Sequence, residues 1–324
     1  MRAFSIASAI ISITALLLGG VGGPNEMFGA NEAIYIADQA NHRIVRINGM
    51  PGTEWVAFGT YGTGNLQFNY PTGIFVDRTD HIYVTDRYIG RIVRFNDMTG
   101  AGWTTLGEPG SRTMQFRLPT SVVMDEAFRI YVADSGNNRI VRMDDFMGHG
   151  WTELGSGGRG TLQFISPGAV FVDTSGRIYV TDTGNDRIVR MSDMQGRGWA
   201  SFGTHGSGRT QFDRPRGLFV DSGGRIYVLD TKNDRIVRID DMTGKGWTAF
   251  GSHGSGTGQF VLTVAYGYGA LGIFVDSGGR IFVCDNGNSR LVRIDDMTGR
   301  GWATLGNRGD GINQFKEPAE IFVR

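Results

Sequence analysis

Apolar and polar positions alternate along most of this chain in short runs, such as Ile82-Tyr83-Val84-Thr85-Asp86 and Arg91-Ile92-Val93-Arg94-Phe95. Runs this short, rich in β-branched and aromatic residues and bounded by Gly, Asn, Asp or Pro, predict strands. Beyond the amino-terminal stretch no segment spaces its apolar residues at helical intervals. Four runs make one unit: strand a over Gly73–Asp77, b over Ile82–Asp86, c over Arg91–Phe95 and d over Trp103–Gly107. The unit recurs six times. The aspartates closing strand b are Asp38, Asp86, Asp134, Asp182, Asp230 and Asp285, and each has a Trp and a Gln-Phe pair at fixed distances downstream. Each series steps by 48 residues except one step of 55, whose seven extra residues follow Phe260. A period of this size predicts a propeller or a solenoid, and short links between four consecutive strands predict antiparallel blades.

The ends of the repeat array decide between the two. The first unit opens directly on a strand b, Ile34 to Asp38, while the chain finishes on Pro318 to Arg324, a strand a with nothing after it. Six of each strand are present only if the last completes the first blade. This predicts an all-β, six-bladed propeller whose ring is closed by the carboxy-terminal strand, leaving no open edge. The single propeller domain spans 32–324, after a short linker at 24–31. Residues 1–23 have another character: Arg2, an apolar run from Ala3 to Leu18, then a glycine cluster. That layout predicts a secretory signal peptide, with an uncleaved anchor as the alternative. The expectation is a secreted or periplasmic protein with no membrane span in the mature chain.

With the repeats aligned, Pro215-Arg216-Gly217-Leu218-Phe219-Val220-Asp221-Ser222-Gly223-Gly224-Arg225-Ile226-Tyr227 represents one copy. It resembles the NHL repeat, and six in-register copies extend the resemblance over the whole propeller. One departure is a DDMTGxGW-like turn between strands c and d, which places Trp where NHL repeats usually carry a smaller residue. The resemblance implies a six-bladed propeller used most often as a binding platform.

Charge narrows the partners. Lys+Arg and Asp+Glu both number 32, which gives no electrostatic reason to expect nucleic acid. Glycine is abundant, 51 residues, but falls at fixed offsets as turn residues. The single cysteine, Cys284, takes a strand position filled by Thr or Ala in most other copies, which predicts a buried, inert thiol.

The regular charged residues read as scaffold. Each strand-b Asp faces an Arg across the b–c turn (Asp38/Arg43 through Asp285/Arg290), and the six tryptophans predict packing between blades. A second arginine series, Arg46 through Arg293, is expected to pair with the aspartates ending strand a, such as Asp77. No zinc triad, Ser/His/Asp set or phosphate loop stands out, so no catalytic residue, metal ligand or cofactor is assigned. Candidate binding residues are sought where the symmetry breaks, on the face carrying the b–c turns and d–a loops. They are Tyr61, Tyr70, Tyr88, Ile89, His205, Lys232, His253, and Tyr266 and Tyr268 in the insertion. Tyrosine-rich surface suits recognition. The expected function is a non-catalytic scaffold recognising a protein or extracellular polymer on that face. The alternative is a metal-dependent lyase or lactonase-like hydrolase with its site on the propeller axis.

Overall fold

The computed structural model describes residues 32–263 and 272–324. The leader, the linker and the insertion tyrosines Tyr266 and Tyr268 lie outside the described residues.

Six four-stranded antiparallel sheets stand around a common axis, each ordered a-b-c-d from the axis outward. In blade 2 these strands are Pro71–Val76, Ile82–Asp86, Arg91–Phe95 and Thr104–Leu106. Strand a thus begins two residues earlier than the hydrophobic pattern indicated, at the proline, and Trp103 stands just before strand d. In blade 1, strands Ala33–Asp38, Arg43–Asn48 and Thr53–Phe58 are completed by Pro318–Val323, as the unpaired ends required. Ile34 pairs with Val323 and Tyr35 with Phe322, and Ala33 and Arg324 exchange two backbone hydrogen bonds of 3.1 and 2.9 Å. No helix among the described residues is long and apolar enough to cross a membrane.

The repeated residues form one clamp, used at every junction between blades. In blade 1, Arg43 donates from Nε to Asp38 (2.8 Å) and from Nη2 to the Gln314 carbonyl of blade 6 (2.9 Å). The same guanidinium lies 5.6 Å from the Trp55 ring, and that indole packs 5.3 Å from Phe315 of the Gln-Phe pair. Phe315 and its five counterparts are fully buried. Asp, Arg, Trp and Phe thus act as a single bolt, repeated as Asp182–Arg187–Trp199–Phe164 in blade 4. Charge-assisted hydrogen bonds and a cation–π contact explain why Arg, and not Lys, fills this position.

The second arginine series behaves otherwise than expected. In blades 3 to 6 the strand-a aspartate is held by the arginine four residues on, as in Asp173–Arg177 (2.7 Å). In blades 2 to 5 it is also held by the strand-b tyrosine hydroxyl, as Tyr179 to Asp173 at 3.2 Å, and in blade 2 His81 stands in the arginine's place. Arg142 turns instead to Asp144 at the c–d turn (3.1 Å), and Arg94 lies 5.6 Å from the Phe146 ring. The a–b hairpin supplies a nearer cation, so the cross-strand pairing is not needed.

Candidate functional site

Among the described residues two places stand out from the sixfold regularity, one on each side of the ring. The first lies on the b–c/d–a face, between blades 1 and 2. At the end of each b–c turn one residue adopts a left-handed conformation, among them His42, Asn138, Asp186 and Asp234. In blades 3 to 5 its side chain accepts an N–H from the adjoining d–a loop: Asn138 from Ser166 (2.8 Å), Asp186 from Arg214 (2.8 Å), Asp234 from Leu262 (2.7 Å). In blade 1 His42 takes this role, and its Nδ1 accepts from the Tyr70 N–H at 3.2 Å. Burial, with the Lys316 charge beside it, holds His42 below its usual range, which keeps the ring neutral and able to accept.

Around that imidazole the structure gathers three of the residues singled out in the sequence. Tyr61 and Tyr70 sit 4.8 and 5.0 Å from the His42 ring, and Tyr88 stands edge-on to Tyr70 at 5.0 Å. Tyr61 is 66% exposed and Tyr88 43%. The equivalents of Tyr61 are Pro109, Gly157, His205, His253 and Arg308, so no other junction carries a tyrosine at this position. His42 was missed in the sequence because it looked like one more turn residue. Its alignment with Asn138 and Asp186 was the available signal.

Ile89 adjoins this patch, and its presence has an electrostatic consequence. At its position the other blades carry Asn41, Asn137, Asn185, Asn233 and Asn288. Each of these amides donates both to the strand-b Asp of its own blade and to a carbonyl of the preceding one, as Asn185 does to Asp182 (2.8 Å) and Gly158 (2.9 Å). Ile89 cannot donate, so Asp86 retains only the Asn69 N–H and Arg91. Burial pushes Asp86 up to about 6. The other five are also raised by burial, but the Asn amide is among the groups that pull each back.

The remaining candidates do not join the tyrosines. His205 pairs with Asp186 (3.2 Å) and His253 with Asp234 (2.8 Å), in successive junctions, while Lys232 is exposed on its turn. Asp186, His205 and Asp213 bring donor atoms within 4.8 Å of one another. The trio offers three protein donors, but His205 is exposed and Asp186 already accepts the Arg214 N–H. In the next junction Asp213 is replaced by Val261.

The second irregular place is the propeller axis, where the alternative reading put its site, although none of its lining residues was among the candidates. A chamber of about 360 Å³ occupies the axis, walled by strand a of all six blades. Its mouth, lined by residues such as Arg78, Glu126, Thr174 and Ser222 of the a–b turns, is on the side opposite the tyrosine patch. Inside stands a collar of Phe75, Phe171, Phe219, Phe274 and Phe322, with Val123 in the sixth position. Beyond the collar Glu320 lines the wall. It borders the open space of the chamber but is otherwise enclosed by protein, and burial pushes its carboxyl up to about 8. Cys284 is fully buried nearby, its thiol raised well above the usual value by the same cause, as an inert thiol would be.

Residues 68–95 and 212–239 match the family model described as NHL repeat. No curated protein matches the chain by sequence. Among solved structures, a chain of a nidogen/laminin complex is similar with a TM-score of 0.67 and 17% identity, covering 90% of this chain and 98% of that one. A streptogramin B lyase is similar at 0.58 and 14% (89% and 82% covered), and virginiamycin B lyase from Staphylococcus aureus at 0.55 and 15% (82% and 78%). At these identities the likeness is one of fold.

Proposed function

Taking the chain as an NHL-repeat six-bladed β-propeller, we propose that it is an exported, non-catalytic binding module that docks a protein partner on its b–c/d–a face through Tyr61, Tyr70 and Tyr88. The observation that carries this is the clustering of three departures from the repeat, Tyr61 and Tyr70 on the His42 imidazole and Tyr88 against Tyr70. Tyrosines whose rings are fixed by neighbours lose little entropy on binding, and they are frequent among residues that dominate interface energies. Export rests on the apolar run of residues 3–18. The nidogen/laminin complex shows a propeller of this fold in a protein assembly, and the lyases show the fold hosting catalysis. Behind the hydrocarbon collar the chamber lining offers one carboxylate, Glu320, while the other acids of the lining, such as Asp125, Asp173 and Asp221, stand at the mouth. A catalytic zinc takes three protein ligands, so that wall supports a binding chamber better than a metal centre.

The test is capture from the native extracellular fraction by the immobilised wild type and by a Tyr61→Ala/Tyr88→Ala double variant of unchanged melting temperature. The proposal expects a protein retained by the wild type and lost from the variant. Equal retention by both overturns it, and a retained polysaccharide in place of a protein corrects the class of partner.

A further inference from the structure

The axial chamber carries a separate inference, independent of the tyrosine patch. In its collar, neighbouring ring centroids lie 5.2 Å (Phe75–Phe322), 5.1 Å (Phe171–Phe219), 4.9 Å (Phe219–Phe274) and 5.4 Å (Phe274–Phe322) apart. Six positions round an axis make a hexagon, whose radius equals its side. A group on the axis therefore stands ~5 Å from each centroid, inside the roughly 6 Å over which a ring that turns its face to a cation attracts it.

Glu320 lies beyond that collar on the same wall. Its five counterparts are Gly73, Ser121, Ala169, Gly217 and Gly272, so a small residue suffices for the fold at this level. The acids nearer the mouth are matched within the chain, Asp125 by Arg129, Asp173 by Arg177 and Asp221 by Arg225. Glu320 has no such match among the described residues. Its carboxylate receives one long contact, 3.3 Å, from the N–H of Ile321. An enclosed acid without a cation is costly, and nothing in the blade needs it.

We propose that the axial chamber binds an organic ammonium compound, its charged nitrogen held within the phenylalanine collar and its charge balanced by Glu320. An anion is disfavoured by the sign of the wall. A metal ion would find one carboxylate among hydrocarbon, too few donors to replace its water. A neutral apolar molecule would fill the volume but leave Glu320 unmatched.

The intact protein is titrated calorimetrically with choline and with 3,3-dimethyl-1-butanol, which has the same shape without the charge, in buffer above the pH of about 8 at which Glu320 ionises. Choline is expected to bind at least about tenfold more tightly than the alcohol, the difference that a desolvated cation–π contact with a matched charge supplies. Glu320→Gln should abolish the preference, and Phe219→Leu, which keeps the apolar volume but removes a ring, should reduce it. Thermal melts establish that each variant is folded. Equal binding of the two probes, no binding of choline, or a preference unchanged in both variants overturns the proposal.

Discussion

Restoring the repeat at one position should reveal how the Asp–Arg clamps are tuned. Ile89→Asn would give blade 2 the amide that the other five blades already have. In wild type Asp86 is raised by burial from 3.8 to about 6, with Arg91 at 2.9 Å and the Asn69 N–H at 2.7 Å as its hydrogen-bond donors. Between those pH values the folded chain keeps a proton that the unfolded chain has lost, so stability falls as pH rises from 3.8 towards 6 and is flat above. An added amide donor contributes about 1.5–3 kcal/mol to the ionised form and far less to the acid. Half-buried Ile89 also gives up some apolar burial, about 1 kcal/mol at most, at every pH. The difference between variant and wild type should therefore start near or below zero at pH 4, rise through pH 6, and level off in the variant's favour. Urea denaturation of both proteins across that range gives the curve. A difference that stays constant with pH would refute the tuning by Asn and the high value assigned to Asp86.

Three further outcomes follow from the same physics. Glu320→Gln should gain stability over wild type as pH rises from 4.5 to about 8, because the native carboxyl stays protonated there while the unfolded one does not. The slope is at most about 1.4 kcal/mol per pH unit, read from melting curves at successive pH values. Asp182→Ala leaves Arg187 half-enclosed and without its carboxylate, and should cost about 3–5 kcal/mol in chemical denaturation without altering which partner is captured. Removing residues 318–324 strips strand a from blade 1 and exposes its edge, so circular dichroism should show the loss of a single cooperative melt.

Much of the architecture was legible because it is repeated. Asp182, Arg187 and Trp199 recur at one spacing, and such regularity has to be scaffold, which the clamps bear out. Closure was legible in the unpaired strand at Pro318 to Arg324. The second arginine series was misplaced because strand alternation gives the side of a residue but not which of two cations lies nearer. Arg177 reaches Asp173 from the adjacent turn, and Arg190 was never required. The collar was missed for a different reason. In the run Gly-Ile-Phe-Val-Asp the phenylalanine looks like any inward residue, and only six strands meeting on an axis turn it into a wall. Glu320 falls within the closing strand at the level of Gly73 and Gly272, but only the folded ring shows that this level borders the axial chamber. Tyr61, Tyr70 and Tyr88 were found by asking where the repeat fails, whereas His205, Lys232 and His253 met the same criterion and do not join them.

The central claim is that the b–c/d–a face, at the junction of blades 1 and 2, docks the partner. Photo-crosslinking tests it most directly, with p-benzoylphenylalanine placed at Tyr88 and, as a control, at Met147, 72% exposed on a c–d turn of the opposite face. Irradiation in the native extracellular fraction should give a discrete protein adduct from position 88 and none from position 147. An adduct from position 147 alone, or from neither, would contradict the account.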